Sequence, residues 1–226
     1  MEALNVREKQ RKTTEQKTKK NYLYFFAKRC IDILGGLVGL IILIPLFVAV
    51  WIMRKINNEE GPIIYDQMRI GKNGKVFKLY KFRTMVIGAD EALKKYLEEN
   101  PEAKKEYKKY KKLKNDPRIT KSGRFLRSTS LDEWPQFINI LKGEMSLVGP
   151  RPYLPREKED MGEYYEYIIK AKPGLTGPWQ IGGRSNVSFN DRMEIEKEYA
   201  QNQNMKNDIK ILWNTVAKVF KKEGAK

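Results

Sequence analysis

The chain has 226 residues, enough for one domain with its own core, and carries 45 Lys and Arg against 28 Asp and Glu, a formal charge of +17. That excess favours phosphate-rich partners: nucleic acid, anionic lipid or a phosphorylated small molecule. With no histidine and one cysteine, a Ser-His-Asp triad, a histidine or cysteine zinc site and an intrachain disulfide are excluded, so acid–base work falls to carboxylate, Lys, Tyr or substrate.

Residues 1–21 include "VREKQRKTTEQKTKKN" and read as a disordered basic tail, equally compatible with lipid contact and with a solvated linker. Within 22–56, the stretch 33–53, "ILGGLVGLIILIPLFVAVWIM", has no charge over twenty-one positions. A straight helix of that length rises about 31 Å, close to a bilayer's hydrocarbon thickness. Lys28 and Arg29 before it balance Arg54 and Lys55 after it, which gives no orientation. Pro45 lacks a donor and clashes with the carbonyl of Ile41. A break there leaves arms of about 18 Å and 12 Å, each too short to cross. Both ends would then stay on the cytoplasmic face; a kinked spanning helix is the alternative. Cys30 reads as a passive small hydrophobe, and Asp32 as an anchor pairing with Lys28 or Arg29.

Residues 57–226 form the soluble part, opening with the turn "NNEEGP". "IIYDQMR" and "GKVFKLYKFRTM" predict two short strands joined through Gly71–Gly74. Arg69, Lys81 and Arg83 lie near their exits and make a candidate phosphate-binding rim. Helices are expected over Ala89–Glu99 and Glu102–Leu113, separated by Pro101; the lysine-rich segment 94–114 carries no assigned function.

"RSTSLDEWPQFINILKGEMSLVGPRP" follows at 127–152. Its helix start is capped either by Ser130, with Glu133 closing a capping box, or by Asp132; Pro135 favours Asp132, because it then falls where no intrahelical donor is required. Helix-end dipoles should favour ionised Asp132 and Glu133, and such carboxylates ligate Mg²⁺ or attack an electrophile. A merely well-capped helix would use only one of the two. Arg151 follows the Gly149-Pro150 turn and Arg184 follows Gly182-Gly183, placements that suit bidentate phosphate recognition. Near the end, Met205, Ile209, Leu212 and Val216 share a helical face expected to pack on the core, with a membrane-interface role as the alternative. Paired carboxylates, rigid arginines and an apolar segment fit phosphoryl transfer at a membrane.

In these blocks the chain resembles the bacterial sugar transferases, monotopic polyprenyl-phosphate phosphoglycosyltransferases, in a short catalytic-core form. The resemblance runs from about Tyr24 to Ala225. It is carried by "KRCIDILGGLVGLIILIPLF", "GPIIYDQMRIGKNGKVFKLYKFRTM", "DPRITKSGRFLRSTSLDEWPQFINILKGEMSLVGPRP" and "KPGLTGPWQIGGR", in that order. It implies a two-step transfer of a phosphosugar from a UDP-sugar to undecaprenyl phosphate, releasing UMP. Asp132 would be the nucleophile carrying a covalent phosphosugar, Glu133 the Mg²⁺ ligand (with Mn²⁺ as a substitute) and Arg151 a phosphate contact. Arg184 and Asp191 match polar positions near the site. The resemblance further implies a re-entrant membrane helix with Pro45 at its break, anionic lipid contact and a catalytic domain on the cytoplasmic face of the bacterial inner membrane, and it admits a homodimer.

The expected fold class is therefore a mostly helical α/β monotopic membrane protein, with a re-entrant N-terminal helix and a small catalytic domain containing a short β-hairpin. The implied role is an early membrane step of exopolysaccharide or related glycan assembly. A nucleic-acid binder would explain the charge but not the apolar segment or the carboxylate pair, so no nucleic-acid partner is expected. A membrane-anchored scaffold leaves the ordered turns around the arginines unexplained.

Overall fold

The computed structural model describes residues 2–110, 113–182 and 188–220, with side chains described for 22–107, 113–182 and 188–218. Helix α1 runs over Glu2–Ile56 and meets the rest of the chain along one seam. Asp32, Gly36, Gly39, Leu43 and Val50 are buried, and Leu46 and Met53 partly so. These positions recur every three or four residues, one stripe of a helix. The opposite stripe, with Leu34, Val38, Ile41, Val48 and Ile52, is exposed. The protein is thus membrane-associated through one apolar helix, and the segment Tyr22–Ile56 is long and apolar enough to cross a bilayer.

The backbone of α1 bears on two expectations about this region. Helical backbone continues through Pro45, where an interruption was expected. The reason is packing: Leu43 before the proline and Val50 after it enter the same cluster with Phe82 and Leu126, so a sharp break would pull that cluster apart. Residues 2–21, expected to be a disordered tail, continue the same helical backbone. They hold no Gly or Pro and are rich in Lys, Glu, Gln and Arg, which propagate a nucleated helix at little cost.

The seam is tight because it is built on glycine. A Cβ at Gly35 would lie 2.6 Å from Leu147 Cδ1, and one at Gly39 would lie 2.3 Å from the Phe137 ring. Polar anchors close both ends. Arg29 donates to the carbonyls of Ile140 at 2.7 Å and Leu141 at 2.9 Å, satisfying the open carbonyl end of the helix over Gln136–Lys142. Asp32 accepts from Ser146 Oγ and the Leu147 amide and so anchors α1 as expected, although its partners are not the expected Lys28 or Arg29. Lys28 instead pairs with Asp208 at 2.6 Å. At the other end Arg54 donates to the carbonyls of Arg83, Glu60 and Gly61.

Strands β1 (Ile64–Ile70) and β2 (Val76–Phe82) form the expected antiparallel hairpin, with Ile64 opposite Phe82 and Ile70 opposite Val76. Phe77 and Leu79 point to one cluster with Ile140 and Met145, whereas Phe82 joins α1. Helices α2 (Ala89–Glu99), α3 (Pro101–Tyr110) and α4 (Lys121–Ser128) follow. Thr120 caps α4 by accepting from Gly123 N at 2.9 Å. Helix α5 (Gln136–Lys142) leads into β3 (Ser146–Val148), which pairs in parallel with β4 (Gly174–Thr176). This second two-stranded sheet was not expected from the sequence. Between its strands lie the single-turn helices α6 (Lys158–Met161) and α7 (Tyr165–Ile168); α8 (Pro178–Gly182), α9 (Phe189–Gln201) and α10 (Met205–Phe220) complete the chain.

Helix α10 differs from its expected orientation. Among its described side chains Asp208 and Ile211 are buried, while Ile209, Trp213 and Val216 are exposed on one stripe. Asp208 decides the rotation, because a carboxylate paired with Lys28 must face inward. The mostly helical class, the apolar N-terminal helix and the small domain with its β-hairpin are as expected.

Candidate active site

Asp132 and Glu133 sit in a 3₁₀ turn, Leu131–Glu133, and not in the first turn of a helix. Ser130 precedes it in the left-handed region, at φ 57° and ψ 19°, and makes no side-chain cap. The amides of Glu133 and Trp134 reach back to the carbonyls of Ser130 and Leu131, and α5 begins only after Pro135. Neither expected cap therefore forms. A non-glycine residue held left-handed costs about 1–2 kcal/mol, so the surrounding packing imposes this geometry.

The turn lies beside β2, whose Lys81 bridges the carboxylates: Nζ is 2.7 Å from Glu133 Oε1 and 3.9 Å from Asp132 Oδ2. The Asp132 side chain is 14% exposed against 41% for Glu133. Burial raises the Asp132 pKa from the ordinary aspartate value, with Lys81 and Arg127 opposing the rise and Glu133 adding to it. The dipole-driven ionisation expected from a helix start is thus outweighed by desolvation. Arg127, absent from the sequence-based candidates, is held by its Nε on Thr84 Oγ1 at 2.9 Å.

Arg151 is delivered by the β3–β4 pair. The Gly149 amide donates to Thr176 O and the Gly174 amide to Pro150 O, and a Cβ at Gly149 would sit 2.2 Å from Lys172 O. Only glycine permits that approach. Glu196 of α9, fully buried, accepts the Arg151 amide with both oxygens at 3.2 Å. Burial pushes its pKa up to about 7, against the lowering pull of the Arg151 amide and of Arg192. Arg69, buried, donates to Pro152 O at 3.0 Å and to Gln67 Oε1 at 2.5 Å. Burial, and after it Arg151, push its pKa down to about 10, while Glu157 and Glu133 act in the opposite sense. Arg69 stands on the same hairpin face as Lys81 and reaches the backbone next to Arg151, so it lies between the arginines and the dyad.

The remaining candidates make local contacts or are not described. Arg83 donates to Pro62 O at 2.9 Å and lies 5.4 Å from the Tyr65 ring centroid, a hairpin contact. Asp191 is exposed and serves as a helix cap partner: its amide donates to Ser188 Oγ, whose hydroxyl donates back to Asp191 Oδ2 at 2.7 Å. Arg184 lies outside the described residues. Pro45 is exposed on the outer stripe of α1, far along the chain from the dyad. Sequence reasoning missed Glu196, Arg192 and Trp179. A signal existed for Glu196, which falls on the same helical stripe as Met193 and Ala200, both buried; an acid on a core-facing stripe points to a polar partner inside.

Among the described residues there is no cluster of three His, Cys, Asp or Glu. A metal ion here would rest on Asp132 and Glu133, with substrate oxygens and water completing its shell. That donor set suits Mg²⁺, which binds through one or two carboxylates plus phosphate.

A family described as bacterial sugar transferase matches residues 23–222. Over 200 residues the chain is 46% identical to an undecaprenyl-phosphate galactose phosphotransferase of Salmonella typhimurium, covering 88% of this chain and 42% of that protein. It is 41% identical to the exopolysaccharide production protein ExoY of Rhizobium meliloti, covering 88% of each. It is 37% identical to a UDP-glucose:undecaprenyl-phosphate glucose-1-phosphate transferase of Escherichia coli, covering 88% of this chain and 41% of that protein. The chain thus spans under half the length of the Salmonella and Escherichia relatives and most of the length of ExoY. Matched over nearly all of its length, the chain belongs to the bacterial sugar transferase family.

Proposed function

We propose that the chain transfers a sugar 1-phosphate from a UDP-sugar to undecaprenyl phosphate, releasing UMP, through a covalent adduct on Asp132. The observation that carries this reading is the mostly buried Asp132 carboxylate set beside Lys81 and Glu133, with Arg69 on the hairpin face of Lys81 and bonded to the carbonyl of Pro152, next to Arg151. The names of the relatives, with galactose, glucose and exopolysaccharide among them, support the same reaction class and a place in polysaccharide assembly.

In the first step an Asp132 oxygen attacks the sugar-bearing phosphorus and the bond to the bridging oxygen breaks, so that UMP leaves with that electron pair. UMP is a good leaving group and needs no histidine to protonate it. In the second step a phosphate oxygen of the lipid attacks the same phosphorus and Asp132 leaves as carboxylate, ready for another cycle. Lys81 and the arginines offset the repulsion between anionic nucleophile and anionic diphosphate. Mg²⁺, held by Glu133 with Asp132, would add charge neutralisation on the phosphate oxygens.

Incubation with radiolabelled UDP-sugars and a short polyprenyl phosphate tests the reaction: label should pass into organic solvent. A scaffold or a nucleic-acid binder would leave it in water. Glu133→Gln should raise the Mg²⁺ concentration needed for half-maximal rate by about tenfold. An unchanged Mg²⁺ requirement would remove Glu133 from metal binding.

The membrane seat follows from α1. Lys28 and Arg54, separated by about 39 Å of helix rise, are both bound by the same domain. A spanning helix would place those anchors on opposite faces of the bilayer. The domain and both ends of the apolar segment would therefore lie on one face, the cytoplasmic one, with the outer stripe of α1 in lipid and the basic surface toward anionic head groups. In a Cys30→Ser background, cysteines placed at Asn21 and Lys55 should react equally with a membrane-impermeant maleimide in inside-out vesicles and stay unlabelled in intact cells. Labelling of only one of them in vesicles would overturn the one-sided seat.

A further inference from the structure

We propose that Arg192 and Trp179 complete, with Arg69 and Arg151, a phosphate subsite beside the dyad that holds the nucleotide phosphate not attacked by Asp132. This rests on the reaction proposed above and names the part of the donor that the subsite takes.

The four side chains are contiguous. Arg192 lies 4.1 Å from the Trp179 ring centroid and 4.7 Å from that of Tyr153, and its Nε donates to Tyr153 Oη at 2.9 Å. Arg151 lies 5.8 Å from the same Trp179 ring, and Arg69 donates to the carbonyl of Pro152, the next residue along the chain. Three guanidinium groups thus share one partly buried region. Acids beside them include Glu157, 4.0 Å from Arg69, and Glu196, which accepts the Arg151 amide with both oxygens. Positive charge gathered in this way is unfavourable unless an anion joins it.

The donors show where that anion belongs. Among the described residues, Arg69 Nε, Arg151 Nε, Arg192 Nη2 and Trp179 Nε1 are buried without a hydrogen-bond partner. Buried donors are almost always paired, and four unpaired ones in a single cluster match the several acceptor oxygens of a phosphate. Stacking on Trp179 and Tyr153 fixes the Arg192 plane, which prepares it for a phosphate edge.

The position favours the nucleotide over the lipid. Arg192 lies in the first turns of α9, whereas α9 reaches the membrane helix at Tyr199, two turns further on, through Lys28. The subsite therefore lies away from the apolar stripe of α1. It also continues from Arg69, which stands on the same hairpin face as Lys81, since Arg69 pairs with Phe77 and Tyr65 with Lys81, and Lys81 holds Glu133. A diphosphate could then place one phosphorus at Asp132 and the other among the arginines.

The test is equilibrium binding of radiolabelled UMP, and separately of farnesyl phosphate, to the full chain in nanodiscs. Arg192→Gln should weaken UMP by about tenfold, and Trp179→Phe, which keeps a ring but removes the N–H, by about threefold, with farnesyl phosphate unchanged in both. Thermal unfolding reports whether each variant is folded; should Arg192→Gln fail to fold, Trp179→Phe decides. UMP affinity within about twofold of wild type in the folded variants would overturn the subsite. Loss of farnesyl phosphate binding in place of UMP binding would overturn its assignment to the nucleotide, and so would wild-type protein that fails to bind UMP. Because binding is read without turnover, a wild-type chain that binds UMP through Arg192 but forms no aspartyl adduct would sink the proposed reaction and leave the subsite standing.

Discussion

Asp132→Asn should abolish UMP release and the covalent phosphosugar, a fall of at least about 10⁴-fold in the first half-reaction. The amide has no anionic oxygen to bond phosphorus, and the other nearby carboxylate, Glu133, is held to Lys81 at 2.7 Å. The same substitution should raise stability. The folded-state pKa of Asp132 lies above its unfolded value because burial outweighs Lys81 and Arg127. A raised carboxylate contributes stability below the unfolded pKa and loses it as pH rises through the folded one, so at neutral pH the ionised group is a burden that asparagine removes. The thermal midpoint should rise at pH 7, by about 2–4 °C for each kcal/mol released, and the gain should vanish toward pH 3. For the wild type, the acid limb of the first half-reaction should lie above the ordinary aspartate value of about 3.9. Lipid-linked product from purified Asp132→Asn protein would end the nucleophile assignment; an unchanged midpoint would show that burial of this carboxylate is not costly.

Lys28→Met should destabilise the fold by about 3–5 kcal/mol, the penalty for leaving one charge of a buried pair alone. Lys28 Nζ binds Asp208 Oδ2 at 2.6 Å and Val148 O at 2.9 Å, and both side chains of the pair are nearly inaccessible. Asp208 also accepts from Tyr24 Oη at 2.9 Å and Tyr199 Oη at 2.6 Å. One carboxylate therefore ties α1, α9 and α10 together. Removing the ammonium leaves two neutral donors to hold a buried anion. The double variant Lys28→Met/Asp208→Leu should recover much of the loss, because it removes both charges and fills the space. Chemical denaturation in detergent measures this, and a single-variant loss below about 1 kcal/mol would show the pair to be solvated. The consequence reaches function, since the same junction seats the membrane helix on β3, the strand that delivers Arg151.

How much of this was legible in the chain depends on the range of the interaction that decides it. The apolar run of 33–53, the alternation of 64–82 around Gly71–Gly74, and the punctuation by Pro101 and Pro135 are local, and the helix and hairpin appear where those patterns put them. The pairing of Asp132 with Glu133 and the rigid turn before Arg151 were equally local, so the candidates at the centre of the site could be named from spacing. Three candidates were named on other grounds, Arg83 for its place at a strand exit, Arg184 for the glycines before it and by resemblance, and Asp191 by resemblance. Arg83 and Asp191 belong to a hairpin contact and a helix cap, both of which polar side chains form without any ligand; Arg184 lies outside the described residues.

What the sequence by itself determined, then, is which segments are apolar, which turns are tight and which residues can do phosphoryl chemistry, because each of these is a property of neighbours a few positions apart. Only the tertiary structure decided that Pro45 lies within an unbroken helix, that α10 turns Asp208 inward, that burial outweighs any dipole at Asp132 and that Arg192, Trp179 and Glu196 stand beside Arg151. Those outcomes depend on desolvation and on pairing between residues from about 45 to 180 positions apart, which no local pattern records.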